Sequence, residues 1–131
     1  MNKATVFQIG NRLARTMDRK DAFIQAWAIV RKGGIELTVR GVTFGNRQEA
    51  LKRLARYSPG QIKTVFVPEP ENKADPAAVA VMVGVQNGRG LYRLGYVPRC
   101  MTAVIRAIRQ QFPALRVLSG DICGARLALT V

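Results

Sequence analysis

The chain has 131 residues, 48% of them hydrophobic, and carries 21 Lys and Arg against eight Asp and Glu, a formal net charge of +13. That much apolar material builds the core of a single domain and excludes a disordered chain, while the charge points to a polyanionic partner: phosphate backbones first, an anionic membrane second. With no histidine, no G-x-S-x-G around Ser58 or Ser119 and no P-loop glycine pattern, Ser-His-Asp, Cys-His, H-E-x-x-H and P-loop chemistries are excluded.

Met1 to Arg15 holds no apolar h-region, and the longest apolar run, Ala77 to Val85, is half of what a membrane span needs. The expectation is a cytoplasmic protein with no membrane partner. Cys100 and Cys123 stand apart without neighbouring ligand types, so both read as reduced core thiols; no metal and no cofactor is expected.

Along the chain, Thr5–Ile9 reads as a short strand leading into a basic turn or helix through Arg12 and Arg15. Asp18 is an N-cap, with Asp21 in the first turn of a helix whose Phe23, Ala26, Trp27 and Val30 share a face; Gly33-Gly34 stops it. Trp27 could offer a stacking platform to a base, but its apolar neighbours favour the core. Glu36 to Phe44 is β-branched and alternating, hence a strand. Asn46 then caps a helix from Arg47 to about Tyr57, burying Ala50, Leu51, Leu54 and Tyr57 and exposing Lys52, Arg53 and Arg56. Gln61–Pro68 and Ala77–Val85 are strands flanking the loop Glu69–Pro76. Asn87-Gly88 joins Ala77–Val85 to Leu91–Val97 as a hairpin, and the glycines of Gly84 to Gly90 are a hairpin tip in preference to a phosphate loop.

Pro98 opens a helix that buries Cys100, Met101, Val104, Ile105, Ile108 and Phe112, exposes Arg106 and Arg109, and ends before Pro113. Leu115–Asp121 and Ala125–Val131 close the chain as a hairpin with Gly120 and Gly124 at its turn. The order, helix then β-α-β-β-β-α-β-β, predicts an α+β fold: a small, partly open, six-stranded β-barrel of OB-like character with two inserted helices, preceded by an N-terminal helical segment.

Three of the eight acids, Glu69, Glu71 and Asp75, crowd into the loop between the second and third of these strands. A proline-bounded turn held by Asn72 and Asp75 explains them. So does a carboxylate that accepts a hydrogen bond from a hydroxyl while nearby cations hold a phosphate.

The run V-P-E-P-E-N-K-A-D-P-A-A-V-A-V from Val67 to Val81, then L-G-Y-V-P-R from Leu94 to Arg99, resembles the HIRAN domain family, of the stand-alone bacterial or phage type. G-V-T-F-G-N-R-Q-E from Gly41 to Glu49 is similar to that family's opening. The resemblance covers residues 36 to 112 and continues towards Val131, which divides the chain into an N-terminal extension, residues 1–34, and a HIRAN-like domain, residues 35–131. It implies an OB-like barrel that holds the 3′ end of single-stranded DNA with its terminal hydroxyl in a pocket. It brings in Thr43 and Phe44 from the first block, Asn72 and Asp75 from the acidic loop, with Lys73 as a neighbouring cation, and Tyr96 and Arg99 from the third. Phe44 would stack on the terminal base, Asp75 would accept from the hydroxyl, Arg99 and Lys73 would neutralise phosphate, and Tyr96 would bond phosphate or stack. Ala74 stands where the end-binding members have an aromatic, and Thr43 where they have a basic residue; Arg40, Arg47 or Trp27 are the available substitutes.

The function expected is therefore non-catalytic nucleic-acid binding, single-stranded DNA foremost and its 3′-hydroxyl end in particular, in replication, repair or phage DNA metabolism. The alternative is a basic adaptor that docks an acidic protein or a larger DNA-processing enzyme. A metal-dependent nuclease built on Glu69, Glu71 and Asp75 is the third reading.

Overall fold

Helical periodicity begins nearer the N-terminus than the residue types suggest. In the computed structural model, which describes residues 3–88, 90–108 and 113–130, Lys3–Leu13 forms α1. Thr5–Ile9 is thus helix and not strand, because Val6, Ile9, Gly10 and Leu13 repeat at helical spacing and are all buried. Gly10 has a packing reason: a Cβ there would lie 2.8 Å from the Phe23 ring. α2, Arg19–Lys32, starts at Asp18, whose carboxylate accepts from the Lys20 amide at 3.1 Å, and stops at Gly33 with φ +81°. Its inner face is Ala22, Ala26 and Ile29, while Trp27 and Phe23 are half-buried against the same helical cluster.

β1, Gly34–Thr38, is shorter than the β-branched run predicts. The strand conformation is lost at Gly41, φ +81°, and Val42 to Asn46 turn back, so Thr43 and Phe44 sit on a turn. α3, Arg47–Leu54, buries Leu51 and Leu54; it ends before Tyr57, which is 41% exposed, and Asn46 at its N-cap makes no side-chain capping bond. Gln48 anchors its start instead, exchanging amide bonds of 2.8 Å in both directions with the backbone of Cys123.

β2 (Ile62–Pro68), β3 (Val79–Val85) and β4 (Tyr92–Tyr96) form one antiparallel sheet in the order β2-β3-β4, with the expected turn around Asn87-Gly88. After a short 3₁₀ turn at Arg99–Met101 comes α4, Thr102–Ile108. That tighter turn rotates Cys100 out to the surface, so of the two thiols expected in the core only Cys123 is buried. Arg109 and Phe112, expected on this helix, lie outside the described residues. β5 (Ala114–Leu118) and β6 (Gly124–Thr130) complete a second sheet, β1-β6-β5, in which Leu37 pairs with Leu127.

Among the described residues the fold is thus α+β, with four α-helices and two three-stranded antiparallel sheets that do not close into a barrel. The sheets share a core around Leu51, Val81, Leu94, Leu115 and Leu127. A second cluster joins α1 and α2 to Val104 and Ala107 of α4, and Arg12 reinforces it by donating to the Ala107 carbonyl at 2.8 Å. Ile105 of the same α4 faces the sheet core. Among the described residues no helix is long and apolar enough to cross a membrane.

Candidate nucleic-acid interface

An isolated backbone bridge joins the two sheets, and the candidate site is built on it. Arg40, just past the end of β1, pairs with Tyr96 at the end of β4 through two backbone hydrogen bonds of 2.8 Å. Gly95 makes that approach feasible: a Cβ there would lie 2.3 Å from the Arg40 carbonyl oxygen and 2.7 Å from Cγ1 of Val39.

The acidic loop folds against this seam. Its base is closed by the Glu69 amide donating to the Ala78 carbonyl at 2.9 Å. Asn72 shapes the middle, its side-chain oxygen accepting from the amides of Ala74 and Asp75, and Asp75 in turn accepts from the Ala77 amide at 3.0 Å. Both carboxylates that face the seam are engaged. Glu69 accepts from the Tyr96 hydroxyl at 2.9 Å and from Asn72 at 3.2 Å, and its other oxygen pairs with Arg93 at 2.7 Å. Asp75 pairs with Arg99 at 3.5 Å, and most of the Arg99 side chain remains in water.

The result is an open cup of about 260 Å³. Five of the nine residues singled out from the sequence line it: Arg40, Asn72, Asp75, Tyr96 and Arg99, with Ala74 and Ala78 supplying small side chains. Two more connect to it through a cation. The Arg47 guanidinium lies 5.9 Å from the centre of the Tyr96 ring and 5.8 Å from that of Phe44, and is held by the Gly41 carbonyl at 2.7 Å. Phe44 itself is 69% exposed. Thr43 and Lys73 are exposed and do not line the cup.

Sequence reasoning missed Arg93 and Gly95, and it did not foresee Glu69 as the partner of Tyr96. The β3–β4 register shifts between Val81 and Met82, so simple alternation along β4 misassigns which side chains share a face. A glycine inside a strand was the available signal for Gly95.

Electrostatically the cup sets Arg40 and Arg99 around one paired carboxylate, Asp75, with Glu69 bonded to the Tyr96 hydroxyl. The Tyr96 phenol is pushed above its ordinary value, first by burial and then by its hydrogen bond to the Glu69 carboxylate and the charge of that group; Arg93 and Arg47 oppose the rise. It is therefore a donor at neutral pH. Among the described residues no three His, Cys, Asp or Glu side chains gather as a metal-binding group, and Glu71 is exposed.

Comparison with protein-family models, with curated proteins and with solved structures finds no match.

Proposed function

We propose that this protein is a non-catalytic, HIRAN-like module that binds single-stranded nucleic acid, DNA foremost, at the Arg40–Tyr96 cup. The observation that carries the reading is the convergence of Arg40, Asn72, Asp75, Tyr96 and Arg99, drawn from three separate stretches of chain, on one cavity in a protein of charge +13. Arg40, Arg47 and Arg99 suit phosphate oxygens, the Tyr96 hydroxyl is a donor, and the exposed Phe44 ring suits a base face. Asp75 suits a terminal 3′-hydroxyl, which would donate to the oxygen that now meets Arg99. With Ala74 on the cup wall, Phe44 and its Arg47 partner are the stacking elements that remain.

The reading of residues 35–131 as a partly open, OB-like barrel rests on two seams: the Arg40–Tyr96 bridge on one side and the approach of β2 to β5 on the other. A cytosolic role in DNA replication, repair or phage DNA metabolism follows from the same reading.

The test is fluorescence anisotropy at about 0.1 M salt, where the Debye length is about 10 Å. A single strand ending in a 3′-hydroxyl should bind more tightly than the same strand ending in a 3′-phosphate, and Asp75→Ala should erase the difference. Equal binding of both strands, unchanged by Asp75→Ala, would remove the end-reading role; no binding of either would remove nucleic acid altogether.

A second reading, the adaptor, is favoured by one feature. On α2 Ile24 is 58% exposed beside Trp27 and Arg31, and on α1 Phe7, 57% exposed, meets the Phe23 ring edge-on, a surface suited to an acidic, partly apolar protein. Under that reading Ile24→Glu abolishes capture of the partner and leaves oligonucleotide binding intact.

A further inference from the structure

A larger concavity, about 610 Å³, lies on the flank of α3 that faces the far ends of β3 and β4. Its floor is apolar, with Ala50, Leu54 and Val83, and two tyrosines, Tyr57 and Tyr92, line it at 41% and 40% exposure. Tyr92 pairs across the sheet with Val83, and Tyr57 sits one turn past the end of α3, its amide bonded to the Leu54 carbonyl. Among the described residues neither ring stacks on another ring or lies under a guanidinium. Arg53 lines the same groove, and Lys52 and Arg56 are exposed beside it; the one acid of the groove, Glu49, is paired with Lys52 at 3.7 Å.

The groove and the cup are linked twice. α3 begins at Arg47, over the Tyr96 ring, and its N-cap residue Asn46 already lines the groove. β4 carries Tyr92 at the groove and Tyr96 at the cup. An eight-residue helix is roughly 12 Å long, and four residues of strand cover roughly 13 Å. The groove thus starts at the end of α3 nearest the cup and runs along the helix to Tyr57, within the span of a few nucleotides.

We propose that this groove is a second nucleotide subsite. It rests on the reading of the cup as a nucleic-acid site, and extends it: bases leaving the cup stack on Tyr92 and Tyr57 while Arg53 and Arg56 meet their phosphates, so the bound strand runs along α3. Exposed ring faces next to exposed cations are the combination that single strands use, since every base has a face to stack and every linkage a charge. The domain then covers at least about four nucleotides, the lower end of site sizes for OB-type single-strand binders.

A length series tests it. Trinucleotides and octanucleotides of oligo-dT are titrated into the whole chain, into Tyr57→Ala/Tyr92→Ala and into Arg53→Glu, the last changing only an exposed helix position so that folding is preserved. The wild type should bind the octamer at least tenfold more tightly than the trimer. Both variants should lose most of that gain and keep trimer affinity, and Tyr57→Phe/Tyr92→Phe should retain the gain. Octamer binding unchanged in both variants overturns the groove and leaves the cup reading standing. So does a glutamate-rich ten-residue peptide that binds through Tyr57 and Tyr92 while DNA shows no gain with length. Failure of the wild type to bind either oligonucleotide sinks the cup reading and the groove with it.

Discussion

The cup, at the start of α3, and the groove, along its flank, are finished in opposite ways. At the cup both carboxylates already have protein partners: Glu69 holds Tyr96, Asn72 and Arg93, and Asp75 holds Arg99 and the Ala77 amide. In the groove, among the described residues, the rings of Tyr57 and Tyr92 are without ring or cation partners. A prewired polar site holds its geometry without ligand, and a phosphate or hydroxyl entering it must exchange partners with groups already bonded. That arrangement favours selectivity for a particular end. An apolar groove with exposed rings favours adhesion that grows with strand length and ignores sequence.

The most damaging break in the comparison is Gly95→Ala. The new methyl would meet a backbone carbonyl and the buried Val39, neither of which is a flexible tip, so the seam must open. Overpacking of this kind costs about 3 kcal/mol. Thermal melts should record that loss, and 3′-end discrimination should vanish. Retention of both would mean that the Arg40–Tyr96 pairing does not organise the cup.

Smaller is the effect of Tyr96→Phe, which deletes the donor to Glu69 and leaves that carboxylate with Arg93 and Asn72. A loss of about 1 kcal/mol in stability is expected, together with a few-fold loss of affinity for the trimer and no change in the gain from trimer to octamer. Denaturant titration and the length series together would separate the two.

The slightest effect is on pH dependence. The phenol of Tyr96 is raised in the folded protein, so below its unfolded value of about 10 it is protonated in both states and the stabilisation is fully present. Above about 10 the unfolded chain releases the proton first, and stability falls as pH rises towards the folded value. Tyr96→Phe should remove that component of the slope in melts between pH 9 and 11, a range set by the ordinary tyrosine value of about 10.

The molecule was unevenly legible in its sequence. Asp18 and Gly33 mark the ends of α2 because capping is local chemistry, and Asn87-Gly88 marks the β3–β4 hairpin for the same reason. Where the decision lies in tertiary contact, reading failed. Thr5–Ile9 carries residues that suit a strand, yet the burial of Val6, Ile9 and Leu13 against α2 and α4 makes it a helix. The β-branched run after Glu36 ends early because Gly41 takes a left-handed conformation, and Cys100 leaves the core because the helix begins with a 3₁₀ turn. Four of the five expected residues that line the cup, Asn72, Asp75, Tyr96 and Arg99, are carried by blocks of local sequence, while Arg40 was named only as a substitute cation. Arg93 was missed because a register shift in the sheet decides its face, and no local pattern announces that shift.

The most direct test of the central claim asks where the charge acts. Affinity for an eight-nucleotide single strand is measured from low to high salt for the wild type, for Arg40→Ala/Arg99→Ala in the cup, and for Arg116→Ala/Arg126→Ala, a cross-strand pair on exposed positions of the other sheet. Each phosphate contact contributes about −0.7 to the log–log slope on single strands, so removing the two cup cations should flatten it by about 1.4. The sheet pair, equal in charge removed, should leave the slope close to that of the wild type. Equal flattening by both pairs would contradict the account, because the chain would then bind through its net charge and not through the cup.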